Sequence, residues 1–116
     1  MIHGIGIEIV DVDRFSSVMQ RRGERFLKRL FTANELDYCM SKSRPEESLA
    51  ARFAAKVSFM KAVGKIVRFI DMEIITNPDG RPELHAKGLA ASFKAEISMS
   101  HDKGLAIAQA VVSKNP

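Results

Sequence analysis

Apolar and polar positions alternate at the start of the chain, with Ile5, Ile7 and Ile9 set against Gly4, Gly6 and Glu8. A period of two marks a half-buried strand, and the isoleucine side is expected to face the core. The opposite side carries two glycines and then a carboxylate, and glycine inside a strand often marks a place where something approaches the backbone closely. Asp11 or Asp13 can cap a helix over residues 13–22, and a second helical stretch covers residues 24–30. Thr32-Ala33-Asn34-Glu35 fits a capping box that starts a helix running to about Met40. Ser43-Arg44-Pro45-Glu46 fits another and opens the longest helix, which ends at Gly64. Within it Leu49, Phe53, Val57, Met60 and Gly64 recur at three- and four-residue spacing, which predicts one inward-packing face.

Beyond Gly64 the pattern changes to strands and turns. Residues 71–76 read as a strand, Asn77-Pro78-Asp79-Gly80 as a turn, and residues 82–85 as a short strand. Residues 87–93 read as a short helix. Residues 96–101 and 105–112 flank Asp102-Lys103-Gly104 and form a hairpin. The tail 113–116 is expected to be loose. The elements predict an α+β fold in which a mostly antiparallel sheet packs around one long central helix. At 116 residues the chain is one domain, spanning residues 1–116.

Composition excludes several classes of protein. Apolar runs are too short to span a bilayer, and the N-terminus lacks a basic leader followed by an apolar stretch, so neither a membrane segment nor a signal peptide is expected. The lone Cys39 forms no internal disulfide, which fits a reducing cytoplasm. His3, His85 and His101 are scattered, so no Cys/His metal cluster is read, and adjacent Ser100, His101 and Asp102 do not converge as a triad does. Net charge is +4, and Arg14, Arg21, Arg22, Arg25, Lys28 and Arg29 are opposed within their stretch only by Glu24. Taken alone, such a run is most simply a solvated face; the alternative is a docking surface for an acidic partner. Arg14, Arg21 and Arg22 share one helix face, and Arg25 extends it if the helix continues through Gly23. Few aromatics and no recognised binding phrase weigh against a nucleic-acid module.

The phrases Gly4-Ile5-Gly6-Ile7-Glu8-Ile9, Thr32-Ala33-Asn34-Glu35-Leu36, Arg52-Phe53-Ala54-Ala55-Lys56, Asp71-Met72-Glu73-Ile74, Gly80-Arg81-Pro82 and Ser98-Met99-Ser100-His101 occur in that order. Together they resemble the holo-acyl-carrier-protein synthases over nearly the whole length. The resemblance implies a 4'-phosphopantetheinyl transferase that moves the phosphopantetheine group of coenzyme A onto a serine of an apo acyl carrier protein, in support of fatty acid biosynthesis. It further implies magnesium, with manganese as an alternative, no nucleic acid or membrane partner, and a homotrimer with sites at subunit interfaces. By motif position Glu8 is the metal ligand, Lys61 and His101 are catalytic, and Arg44, Arg52, Lys61, Gly64, Pro82 and His101 contact the coenzyme. Arg14, Arg21, Arg22 and Arg25 fall on the family's carrier-docking helix.

Three features depart from the family pattern. Glu8 stands where aspartate is usual, Val57 where a second metal-binding glutamate is usual, and residues 65–70 replace a longer loop with a Gly-x-Gly. The alternative function is therefore an impaired homologue that binds carrier protein without efficient transfer.

Overall fold

In the computed structural model, which describes residues 1–115, the chain is a three-stranded sheet wrapped on one long helix, with a second two-stranded sheet beside it. The order is β1 (Ile2–Asp11), α1 (Val12–Arg22), α2 (Glu24–Leu30), α3 (Ala33–Met40), α4 (Pro45–Val63), a 3-10 turn (Phe69–Asp71), β2 (Met72–Thr76), β3 (Pro82–Ala86), β4 (Phe93–Asp102) and β5 (Leu105–Lys114). All pairings are antiparallel, with the order β1-β5-β4 in one sheet and β2-β3 in the other. The expected α+β architecture around a central helix is present.

The first strand has the predicted period but the opposite orientation. Gly6 and Val10 are buried, whereas Ile5, Ile7 and Ile9 are 55–58% exposed. The glycine side faces α4 at a spacing no side chain permits: a Cβ on Gly6 falls 1.8 Å from the Ser58 carbonyl oxygen, and one on Gly4 falls 1.9 Å from that of Ala62. Close approach of helix backbone to strand backbone won over isoleucine hydrophobicity, and the apolar side of β1 was left on the outer face of the sheet.

Helix α4 differs from its predicted single stripe for the same reason. It is buried almost all round, through Leu49, Ala50, Ala51, Ala54, Ala55, Phe59 and Ala62, while Phe53, Val57 and Met60 are only half-buried. The alanines let β1 and β5 pack closely on one side, and Phe53 stacks on Phe69 at 5.3 Å on another. Its N-terminus is not a capping box. Pro45 occupies the first turn and keeps Arg44, the N-cap, out of the helical region at φ −130° and ψ 80°, with no side-chain cap hydrogen bond.

The box at Thr32 is complete, with Glu35 Oε1 accepting from the Thr32 N–H at 2.9 Å and the Thr32 hydroxyl accepting from the Glu35 N–H at 3.3 Å. Residues 87–93 are not helical. Gly88 at φ +76° allows two successive tight turns, closed by Leu89 N–H to Ala86 O and Phe93 N–H to Ala90 O. Ser113 and Lys114 belong to β5, Asn115 donates to Ser92 O, and Pro116 lies outside the described residues.

Candidate active site

Two lysines on α4 have opposite fates. Lys56 is fully buried, and its ammonium donates to Glu35 Oε1 at 2.6 Å, Leu30 O at 2.8 Å and Phe69 O at 3.1 Å. Burial pulls its pKa down, against the pull of the Glu35 carboxylate. Glu35 also accepts from the Ile74 N–H at 2.9 Å, so this one carboxylate ties α3, α4 and β2 together. Sequence reading found the capping role of Glu35 and missed the buried partnership. No local signal marks it, because Glu35 and Lys56 lie on different helices, 21 residues apart in the chain.

Lys61 instead reaches solvent. From the last turn of α4 it donates to Ile7 O at 3.0 Å and to Glu8 Oε1 at 2.9 Å, with side chains 53% and 27% exposed respectively for the pair. The missing side chains of Gly4 and Gly6 let α4 lie close enough for this contact. Val57, one turn before Lys61, places a half-buried aliphatic group on the same helix face.

His101 stands near the end of β4, just before a two-residue turn in which Lys103 and Gly104 both have positive φ, 50° and 80°. Glu8 pairs across to Ala108, which in turn pairs with Met99, while His101 pairs with Ala106. β1 and β4 are the two edges of the sheet with β5 between them, so the backbones of Glu8 and His101 are about 12 Å apart from strand spacing and rise. The chain thus holds two polar clusters: Glu8 with Lys61 at one edge, and His101 with Arg44 and Glu47 at the other. Glu47 Oε2 lies 3.8 Å from His101 Nδ1 and 3.9 Å from Arg44 Nη1. Sequence reading did not single out Glu47, because helix periodicity gives it only a place in an acidic first turn.

The remaining expected contacts separate from these. Arg52 is 3% exposed; it donates to Ser48 Oγ at 3.2 Å and Thr76 Oγ1 at 2.9 Å and lies over the Tyr38 ring, so its guanidinium is engaged inside the fold. The Tyr38 hydroxyl is in turn lowered in pKa, first by its hydrogen bond with Thr76 and then by Lys42 and Arg52. Gly64 ends α4 in the left-handed conformation at φ +82°. Pro82 lines a cleft of about 990 Å³ between the β2–β3 hairpin and β4, alongside Leu84, Lys87, Leu89 and Ile97; Glu8, Lys61 and His101 do not line it.

Arg14, Arg21, Arg22 and Arg25 are all exposed, yet the helix breaks at Gly23, φ +83°, so Arg25 belongs to α2. The Arg22 guanidinium, 4.7 Å over the Phe26 ring, bridges the break. Among the described residues no group of three His, Cys, Asp or Glu side chains gathers as a metal site, and no helix is long and apolar enough to cross a membrane.

This is a fold with a cation and a carboxylate at one sheet edge and an imidazole with a guanidinium at the other, as befits an enzyme that handles phosphates. Residues 4–110 match the model of the 4'-phosphopantetheinyl transferase superfamily. A holo-[acyl-carrier-protein] synthase of Halothermothrix orenii is 42% identical over 93% of this chain and 94% of its own. The crystal structure of a holo-(acyl-carrier-protein) synthase from Bacillus anthracis in complex with CoA (3',5'-ADP) superposes with a TM-score of 0.85 at 33% identity, covering 100% of this chain and 99% of the other. The Helicobacter pylori synthase in complex with coenzyme A gives 0.83 at 32% identity, over 94% and 99%. The chain belongs to the 4'-phosphopantetheinyl transferase superfamily, in its holo-[acyl-carrier-protein] synthase branch.

Proposed function

We infer that this protein transfers the 4'-phosphopantetheine group from coenzyme A to a serine of an apo acyl carrier protein, a step that supports fatty acid biosynthesis in the cytoplasm. The observation that carries this reading is the Lys61–Glu8 contact, a solvent-reachable cation held against β1 by one carboxylate and one carbonyl within a fold shared with synthases solved in complex with coenzyme A. Transfer forms a bond from the serine oxygen to the pantetheine-bearing phosphorus and breaks that phosphorus's bond to 3',5'-adenosine bisphosphate. Such a reaction needs alignment and charge neutralisation more than covalent help from the protein. Lys61 supplies a cation to the pyrophosphate, and Arg44 and His101 supply the opposite side.

Two half-sites on opposite edge strands call for a second copy to join them. The outer sheet face supports a homotrimer with sites between subunits: Ile5 pairs with Val111 and Ile9 with Ile107, and Ile5, Ile7, Ile9, Leu105 and Ile107 form an apolar face left exposed among the described residues. The exposed arginines of α1 and α2 suit the acidic surface of a carrier protein.

The residues present fit magnesium held mainly by substrate. Magnesium keeps several waters and takes one or two protein carboxylates plus phosphate oxygens. Glu8, 27% exposed and bound to a lysine that a phosphate oxygen can draw away, meets the lower of those demands, and manganese fits as well. When bound, the ion neutralises charge on the pyrophosphate oxygens.

Incubation of the protein with apo carrier, coenzyme A and magnesium is expected to add one phosphopantetheine mass to a carrier serine. Val57→Glu is expected to raise the rate by about 10-fold or more, since a missing proton acceptor typically costs about 10²- to 10⁴-fold. No transfer by wild type, with transfer appearing in Val57→Glu, overturns the inference.

A further inference from the structure

Val57 offers no carboxylate one turn before Lys61, and the carboxylate that does lie beside that lysine, Glu8, is held by its ammonium at 2.9 Å, so the base for the serine proton has to come from elsewhere. Glu47 addresses that gap through His101, on the reading that the chain transfers phosphopantetheine. It sits in the first turn of α4, 20% exposed, with Oε2 facing His101 Nδ1 at 3.8 Å and Arg44 Nη1 at 3.9 Å. The charged groups around the imidazole are Glu47 and Arg44 from the start of α4, with Asp102 and Lys103 next to it in the chain. Glu47 is thus the carboxylate placed against Nδ1. Which imidazole nitrogen carries the proton is set by the partner of the other one. The distance exceeds a formed hydrogen bond, and contacts of this kind commonly tighten only when substrate is bound.

We propose that Glu47 is a positioning residue that holds the Nδ1–H tautomer of His101 and so leaves the Nε2 lone pair directed at the carrier serine. In the transfer the serine Oγ–P bond forms, the P–O bond to 3',5'-adenosine bisphosphate breaks, and the serine proton passes to Nε2 and from there to solvent. Arg44 shares the same carboxylate, so Glu47 also fixes a cation beside the imidazole. The competing explanation of Glu47 is electrostatic support of the α4 N-terminus, a task that Glu46 in the same turn performs equally.

The test compares Glu47→Ala with Glu46→Ala, two substitutions of equal helix propensity at adjacent positions. In nitrogen-15 NMR of the neutral histidines with coenzyme A bound, wild type and Glu46→Ala are expected to show His101 mainly as the Nδ1–H tautomer, and Glu47→Ala to shift it toward Nε2–H. In the transfer assay Glu47→Ala is expected to lower kcat by about 10-fold or more, with KM for coenzyme A within about twofold. Glu46→Ala is expected to keep both constants. An unchanged His101 tautomer in Glu47→Ala overturns the proposal, and so does an equal loss of kcat in both variants. Should wild type transfer nothing, the reading of function fails while the NMR comparison still decides the role of Glu47.

Discussion

Replacing Lys56 and Lys61 separately by methionine makes the same chemical change twice on one helix, five residues apart, and should give opposite results. Both ammonium groups contact a glutamate within 3 Å, at 2.6 Å for Lys56 and 2.9 Å for Lys61. The first pair is fully buried on both sides. Lys56→Met leaves Glu35 as a buried carboxylate with only backbone N–H partners and strips the carbonyls of Leu30 and Phe69 of their donor. Breaking one partner of a buried pair costs about 3–5 kcal/mol, a large share of the roughly 5–15 kcal/mol that holds a domain folded. The Lys61 pair is half-exposed, and such pairs contribute about 0–1 kcal/mol. Urea unfolding followed by circular dichroism should therefore place Lys56→Met far below wild type and Lys61→Met close to it. Transfer activity should reverse the order: Lys61→Met loses turnover, whereas Lys56→Met, assayed cold where it remains folded, keeps it per folded molecule. Equal loss of stability in the two variants would refute the division of α4 into a structural and a functional lysine.

Gly6→Ala places a Cβ 1.8 Å from the Ser58 carbonyl oxygen, so α4 must move off β1; overpacking of this kind costs about 1–3 kcal/mol, and a melting temperature equal to wild type would contradict the contact. Ile7→Glu puts a charge in the middle of the outer sheet face and is expected to yield a smaller species in sedimentation with loss of transfer; an unchanged size removes that face from assembly. Carrier binding should weaken as salt rises, and further in Arg21→Glu, because the contact is between exposed charges; salt-independent affinity takes the basic face out of docking. Burial pushes the Cys39 thiol up in pKa, so iodoacetamide should modify the native protein far more slowly than the urea-unfolded one, and equal rates would show that the thiol is open.

Element type was largely legible because it is local. The Thr32 box, the turn at Asn77–Gly80 and the hairpin at Lys103-Gly104 are specified by residues within a few positions of one another. Facing was not, because it depends on what lies across the gap. Alternation in β1 gives the period with certainty but leaves open which side meets the helix, and only the backbone of α4 against Gly4 and Gly6 decides it. The same limit applies to Lys56. Its place in an Arg-Phe-Ala-Ala-Lys phrase beside Lys61 gives no hint that its partner lies on α3, and the orientation of Arg52 into Thr76 is equally non-local. Residues 87–93 failed for another reason: a seven-residue helix is marginal, and Gly88 lowers it further in favour of turns.

The geometry also separates what Val57 removes from what it leaves. Lys61 is held by Glu8 and by the Ile7 carbonyl, both on β1, so its position does not depend on the residue one turn earlier on its own helix. A glutamate at 57 would bring a second negative charge to that edge and compete for the lysine. With valine there, the single carboxylate at position 8, one methylene longer than aspartate, carries the contact with Lys61 alone. On the proposed function, the phosphate-binding half of the chemistry therefore stays in place, and the loss falls on ion affinity and on proton removal. Ion affinity can be recovered in part from the substrate's own phosphates. Proton removal cannot, which is why the imidazole at the opposite edge, and the carboxylate that faces it, become the residues on which turnover depends.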